Sequence, residues 1–231
     1  MRIAVLGAGI VGLSTAEWLR RDGHEVTLID RVEPGDPAEA SFGNAGVLAG
    51  SGVVPVAVPG LIASAPRMLL DPDGPLFLKW SYLPRLLPWL APFLMTGRRD
   101  EVARISRALA ALIGDTVAEH RALAAGTGAE RHIGSARYTY LYRDRAAFEA
   151  DALGRALREA AGVAAEERDR AALEAEDPHL GPRYGFGLAF RDSTHLDDPA
   201  AYARALFAHY RGAGGAHRRE EIRDIAPRGA G

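Results

Sequence analysis

Ile3, Val5 and Leu6 open the chain with a short apolar run that includes β-branched residues. The run predicts a strand buried on both faces. From Ile10 to Arg21 the apolar residues Ile10, Val11, Leu13, Ala16 and Leu19 recur at helical spacing. Gly23 follows where a left-handed residue usually ends a helix. Val26, Leu28 and Ile29 predict a second strand that stops at Asp30. Residues 33–60 are rich in Gly, Ala, Ser and Pro, and predict a long loop. Residues 61–125 are mostly helical in pattern, with Val102, Ile105, Leu109, Leu112, Ile113 and Val117 in one stripe. The period then falls to two, which places Tyr138, Tyr140 and Tyr142 on one face of a strand. Three tyrosines there wall a ligand pocket or, more simply, cover a core edge. Ala146–Ala161 and Arg170–Glu176 predict helices, Tyr184–Phe190 a glycine-containing strand, and Pro199–Arg211 a helix started at Asp197-Asp198-Pro199. The tail from His217 to Gly231 is charged, then rich in Gly and Pro.

One stretch is more apolar than the rest. Pro75 to Met95 carries Lys79 and Arg85, with Pro84, Pro88 and Pro92 at four-residue intervals. Those prolines remove helix donors turn after turn, which argues against a spanning helix. A broken helical segment buried in the core, or a surface that touches a membrane, are the two remaining readings. The N-terminus has neither the long apolar stretch nor the small-residue cleavage site of a secretory signal. A cytoplasmic protein, at most peripheral to the inner face of the cell membrane, is expected. Lys+Arg 28 against Asp+Glu 30 gives a net charge of -2, so no positive field recruits nucleic acid. The 231 residues, 48% hydrophobic, are enough for a core and exclude a disordered chain. The absence of Cys excludes disulfides, thiolate zinc sites, thiol nucleophiles and a cysteinyl flavin link. Lys79 is the only lysine, so any lysine chemistry falls on it.

The element that carries chemistry is Gly7-Ala8-Gly9-Ile10-Val11-Gly12. It follows a predicted strand, opens a predicted helix and precedes a second strand ending in an acid, the context of a dinucleotide site. Gly7 permits the sharp turn, Gly9 lets backbone approach a pyrophosphate, and Gly12 allows close helix packing. The free N–H groups of the helix start then face the phosphates. Asp30 is placed to accept from ribose hydroxyls and would repel a 2′-phosphate, which argues against an NADP-type cofactor. FAD and NAD share this half-site. Further on, Ala40-Ser41-Phe42-Gly43-Asn44-Ala45-Gly46 combines donors at Ser41 and Asn44 with the permissive Gly43 and Gly46. By its residues alone it is equally a polar loop with a turn at Gly43-Asn44.

Residues 1 to about 60, and the Gly motif with ASFGNAG above all, resemble the FAD-dependent amino-acid oxidoreductases of the D-amino-acid oxidase superfamily, in particular bacterial D-amino acid dehydrogenases of small-subunit type. Glu176-Asp177-Pro178 and His195-Leu196-Asp197-Asp198-Pro199-Ala200 also resemble family features. The resemblance implies an α/β fold: a Rossmann-like FAD-binding domain of glutathione-reductase-like βαβ type, with an inserted α+β substrate domain, incomplete at the C-terminus. Residues 1–60 would be the FAD-binding unit and flavin loop, 61–190 mostly the substrate cap, and 191–231 a return helix and the start of a further strand near Glu220-Glu221-Ile222. It implies FAD held by Gly7, Ala8, Gly9, Ile10, Val11, Gly12, Asp30 and Arg31, with Ser41, Asn44, Ala45 and Gly46 against the pyrophosphate and flavin. The implied reaction oxidises an amino acid, by this family a D-amino acid, to an imino acid that hydrolyses to a 2-oxo acid and ammonia. Electrons would leave to a respiratory acceptor or oxygen. Family members run longer, so a truncated non-catalytic remnant, or a subunit completed by a partner chain, stands as the alternative. An NAD-dependent dehydrogenase stands behind it, disfavoured by the long loop and helical region after the second strand.

No catalytic residue is assigned. His132, His179 and His195 share no metal-ligand spacing, and no metal site is expected. Each reads as a surface or capping histidine. Arg137 and Tyr140 are not distinguished from scaffold.

Overall fold

The computed structural model of the protein describes residues 1–61, 69 and 78–226. The first part of the apolar stretch 75–95 and the last five residues of the tail lie outside the described residues. The chain divides into two compact units: Met1–Ala49, Asp115–Tyr138 and Ser193–Gly231 form the first, Gly50–Gly114 and Thr139–Asp192 the second.

The first unit holds strand β1 (Arg2–Leu6), helix α1 (Ile10–Arg21) and strand β2 (Glu25–Asp30). Gly23, at φ 82°, ends the α1 region as expected. β1 runs parallel to β2 with Leu6 opposite Ile29. Strand β8 (Ala216–Arg219) runs parallel on the other side of β2, with Arg219 opposite Asp30. The further strand therefore ends just before Glu220, and Glu220 to Ala226 form no regular element. Strands β3 (Val47–Ala49) and β7 (Ser193–His195) pair antiparallel, so the long loop of 33–60 contains a short strand. Helices α4 (Thr116–Ala124) and α8 (Pro199–Gly212) complete this unit. Asp198 caps α8, its carboxylate accepting from the Ala201 N–H at 2.8 Å, and Pro199 sits in the first turn as the start signal predicts.

Leu13 and Ala16 of α1, Val26 and Leu28 of β2, and Tyr202, Ala203, Leu206 and Tyr210 of α8 form one buried cluster. Burying such side chains supplies roughly 1.5–3 kcal/mol each before entropy is charged. The Tyr210 hydroxyl lies 2.8 Å from the Val26 carbonyl and 3.0 Å from the Ala216 carbonyl, joining the two strands. β1 departs from expectation. It alternates exposed and half-buried residues, and Leu6 is 45% exposed. Among the described residues β1 pairs with β2 alone, so it is a sheet edge instead of a strand buried on both faces. Val11 likewise points outward, 78% exposed, and the third buried residue of α1 is the charged Glu17.

Glu17 is fully buried. Its Oε1 accepts from Arg21 Nε at 2.6 Å and Arg20 Nη2 at 2.9 Å, its Oε2 accepts from Arg20 Nε at 2.9 Å, and His209 Nε2 lies 3.4 Å away. Arg21 then donates to the carbonyls of Ala122 and Leu123 at the end of α4. One carboxylate thus ties α1 to α4 and α8.

In the second unit, helix α2 (Leu83–Met95) follows a 3-10 turn at Trp80–Tyr82. It is continuous through Pro88 and Pro92 and buries no residue, so it is neither broken nor a core element. Helix α3 (Arg99–Ile113) buries Val102 and Ser106, while Leu112, expected in the apolar stripe, is 81% exposed. Strands β4 (Tyr138–Tyr142), β6 (Phe186–Phe190) and β5 (Ala165–Asp169) form a sheet in that order. The single helix expected over 146–161 is two, α5 (Arg145–Ala150) and α6 (Ala152–Ala160), parted at Asp151. Asp151 Oδ2 accepts from the Tyr142 hydroxyl at 3.1 Å and from Arg158 at 3.2 Å, which fixes the break. Helix α7 is Arg170–Glu176, as the pattern predicts. Tyr140 meets Phe190 edge-on and Tyr142 meets Phe148 edge-on, so these two tyrosines pack the core edge.

The Glu17 cluster yields a test. Burial pushes the Glu17 carboxyl up, but hydrogen bonds and charge from Arg20 and Arg21 outweigh it and hold it below the ordinary glutamate range. A depressed carboxyl stabilises the fold above its unfolded pKa, and that contribution is lost as pH falls through the folded value. Removing the carboxylate leaves two arginines that still reach water, so Glu17→Gln should cost about 2 kcal/mol, less than a fully buried orphan charge. The melting temperature should fall by roughly 4–8 °C at neutral pH. The acid-side slope of stability should flatten in the variant, read by denaturant titration at neutral and acid pH.

Candidate functional site

The turn between β1 and α1 is built by two close approaches. Gly7, at φ 97°, donates its N–H to the Ile29 carbonyl at 2.8 Å. A Cβ at Gly12 would fall on the Gly7 carbonyl oxygen, so only glycine lets the helix start here. Ala8 is fully buried, and its N–H donates to Asp30 Oδ2 at 2.6 Å. Asp30 Oδ1 lies 3.3 Å from the Val32 N–H. Asp30 therefore clasps the turn through its own carboxylate, a role the sequence reading did not give it.

Gly9 differs from Gly12. It is the N-cap of α1 at φ -58°, ψ 173°, a conformation any residue adopts, and a Cβ there would meet nothing within 4 Å. Nothing in the fold of the chain calls for glycine at this position. No side chain caps α1 and no acid sits in its first turn, so its leading N–H groups are left for an anion. Over this turn lies an open cavity of about 510 Å³ lined by Val5, Leu6, Gly7, Gly9, Ile10, Val11, Gly12, Thr15, Ala40 and Ser41. The adjacent cavity, about 260 Å³, is lined by Gly7, Ile29, Asp30, Arg31, Glu220, Glu221 and Ile222. It sits beyond the carboxyl ends of parallel β2 and β8, where ligands of α/β sheets bind. The Arg31 carbonyl accepts from Arg219 Nε at 3.0 Å, which holds the cavity's rim.

The loop of 41–46 is pinned from within. Gly43 and Gly46 adopt φ 69° and 67°. The Asn44 side-chain oxygen accepts from the Gly46 N–H at 2.9 Å, and the Gly46 carbonyl accepts from the Leu196 N–H at 2.7 Å. Asn44 thus spends its acceptor on the loop and keeps its amide donor. Ser41, Asn44 and Gly46 line a third cavity, about 160 Å³, with Ile10, Val47, Leu48, His120, Leu196 and Pro199. Ala45 is exposed between them. Glu39 accepts from the Gly35 N–H at 3.0 Å while its Oε1 is buried with no partner. Burial pushes the Glu39 carboxyl above the ordinary range against the pull of the Gly35 hydrogen bond, with the Asp30 and Asp36 charges adding to the rise. His120 Nδ1 lies 3.0 Å from the Tyr202 hydroxyl, and burial lowers its pKa, so the ring is neutral at neutral pH.

The first unit thus brings together Gly7, Gly9, Ile10, Val11, Gly12, Asp30, Arg31, Ser41, Asn44 and Gly46 along cavities, with Ala8 behind them. Glu220, Glu221 and Ile222 were not foreseen as lining residues; their signal is their place just after a strand parallel to β2. Thr15 and His120 also line these cavities, and nothing in their spacing marks them. His195 Nε2 lies 2.9 Å from Asp197 at the surface, and Asp177 Oδ1 accepts from the backbone N–H of His179. His132 Nε2 lies 3.3 Å from Arg131 Nε. Among the described residues no cluster of His, Asp and Glu could hold a metal ion.

The donor set suits a dinucleotide. An uncapped helix start, a glycine the fold does not require, and an acid at the end of the second strand are together in one unit. The D-amino-acid oxidase of Bradyrhizobium diazoefficiens is 40% identical over 208 residues, 90% of this chain and 49% of that protein. D-amino acid dehydrogenase 2 of Ralstonia nicotianae is 43% identical over 150 residues, 64% of this chain and 35% of that protein. The chain spans about half or less of the length of these relatives. Glycine oxidase from Bacillus cereus shares the fold at TM-score 0.56 and 17% identity, over 98% of this chain and 49% of that one. The described FAD dependent oxidoreductase family, DAO, matches residues 2–231, and the chain belongs to it.

Proposed function

We propose that this chain holds FAD in its first unit and takes part in oxidising an amino acid, by the names of its relatives a D-amino acid, to an imino acid. The imino acid is hydrolysed by water to a 2-oxo acid and ammonia. FAD, when bound, supplies the acceptor for the hydride that leaves the substrate Cα. The first-turn N–H groups of α1 hold the pyrophosphate, with Gly7 and Gly9 leaving room for it. Asp30 and Arg31, with Glu220–Ile222, receive the adenosine end. Ser41, Asn44, Ala45 and Gly46 bound the flavin side, and neutral His120 adds a polar group to that cavity. The proposed division keeps residues 1–60 and 191–231 for the cofactor and most of 61–190 for the substrate. A respiratory carrier is the proposed electron acceptor, reached from the cytoplasm at the inner face of the cell membrane.

The observation that carries this reading is Gly9, a glycine the fold does not require. Gly9→Ala should leave the melting temperature within about 1 °C, since surface changes without strain cost little. The same variant should lose flavin absorbance and bind added FAD at least roughly tenfold more weakly, because its methyl stands in the cradle. Gly12→Ala should instead abolish the folded state, its Cβ meeting backbone with nowhere to move. Wild-type protein that stays colourless with added FAD, or binds NAD in its place, would sink the proposal.

A second reading is favoured by the free edge of β1: a partner chain supplies a strand there. Under that reading a proline at Ala4 weakens assembly, seen as a shift to smaller species in sedimentation. A monomeric wild type at all concentrations contradicts it.

A further inference from the structure

We propose that helix α2 and the turn before it form a seat for an anionic lipid surface. This deepens the peripheral location proposed above by naming the face and the lipid chemistry. The half-buried residues of α2, Leu83, Leu86, Leu90, Phe93 and Leu94, recur at helical spacing on one side. In an ordinary surface helix the opposite side is polar. Here it is Pro84, Arg85, Leu87, Pro88, Trp89, Ala91, Pro92 and Met95, all exposed, and Trp80 and Tyr82 extend it at the N-terminal end. Trp80 is 67% exposed, Trp89 60% and Leu87 50%. Two of the three tryptophans of the chain are thus exposed in this segment, Trp89 with its ring stacked on Phe93 at the margin of the half-buried side. Such a contiguous face marks an interaction surface.

Charge selects the occupant. Between Asp73 and Asp100 the sequence has no acidic residue, while Lys79, Arg85, Arg98 and Arg99 lie within it. Lys79 and Arg85 have no ion-pair partner among the described residues; Arg98 reaches Asp100 at 3.6 Å. Cations flanking exposed Trp, Tyr and Leu match an anionic headgroup layer over an acyl boundary, where amphipathic rings settle. The prolines set the depth. Pro88 and Pro92 donate no N–H, so the carbonyls one turn before them, those of Pro84 and Pro88, lose their i+4 helical partners. Hydrocarbon would leave those carbonyls unsatisfied, whereas the hydrated headgroup layer serves them. Thirteen residues rise about 20 Å, short of a bilayer core, and no described helix is long and apolar enough to cross one. The helix lies in the interface.

Vesicle co-flotation of the full chain, with tryptophan emission read on the same samples, tests this. Phosphatidylglycerol-containing vesicles should bind the protein, shift its emission to the blue and, with brominated acyl chains, quench it. Phosphatidylcholine vesicles should bind far less, and added salt should weaken the anionic binding. Trp80→Phe with Trp89→Phe should abolish the emission response, whereas Trp18→Phe should keep it. Leu87→Asp and Arg85→Glu, both at exposed positions, should each weaken binding roughly tenfold with the melting temperature unchanged. Flavin absorbance of these variants should match wild type, which separates this seat from the cofactor reading. Equal vesicle binding by wild type and Leu87→Asp overturns the proposal. So does a dimer, formed without lipid and lost in Leu87→Asp, which would give the face to a second copy.

Discussion

The approach of Gly12 to the Gly7 carbonyl is the constraint on which the cofactor site depends. It forces α1 to begin directly on the turn, so its first N–H groups project past the end of β1 with nothing capping them. Had Gly12 a side chain, the helix would start further off and its dipole would face elsewhere. The Asp30 carboxylate then locks the arrangement by taking the Ala8 N–H, so the ends of β1 and β2 and the head of α1 become one rigid corner. The same carboxylate that would meet a ribose is already a structural acceptor. Its two oxygens divide the work, one on Ala8 and one near Val32.

Stability in the first unit is concentrated behind that corner. Tyr202, Leu206 and Tyr210 of α8 are fully buried, as are Leu13 of α1 and Leu28 of β2. Glu17 fastens the far end of α1 to the carbonyls of α4 through Arg21. A buried ion cluster contributes little net energy compared with an apolar core, because desolvation offsets most of the attraction. What it supplies is registry: Glu17 holds Arg21 on the Ala122 and Leu123 carbonyls and faces His209 of α8, so α1 cannot rotate without breaking those three contacts.

The sequence made the βαβ corner legible because every part has a local cause: glycines at a turn, a helical apolar stripe, and an acid at a strand end. Helix α7 and the cap of α8 were legible for the same reason, since Asp and Pro act on their own neighbours. What escaped depends on contacts distant in sequence. Glu17 looks like any solvated helix residue until Arg20, Arg21 and His209 converge on it. The break at Asp151 needs Tyr142 and Arg158, neither of which marks a helix end by itself. β1 reads as a buried strand because its residues are apolar, but burial is set by neighbours, and here it has one. By sequence alone, helix α2 stands between a core segment and an outward surface for the opposite reason. Its composition resembles a core, while its neighbours leave one side bare.

These features combine into a gradient across the first unit. The α8 side is close-packed, and the side facing the cavities is thin: β1 is half-exposed and α1 is uncapped. The first N–H groups of α1 have no intrahelical acceptor, so they are the donors an anion can take up. On the proposed reading, a bound group supplies phosphate oxygens to those donors. It would then stabilise the folded state by an amount that rises with the logarithm of free ligand over Kd. On the proposed reading, affinity for the cofactor and stability of the corner are linked through the few backbone donors that Gly12 aims outward.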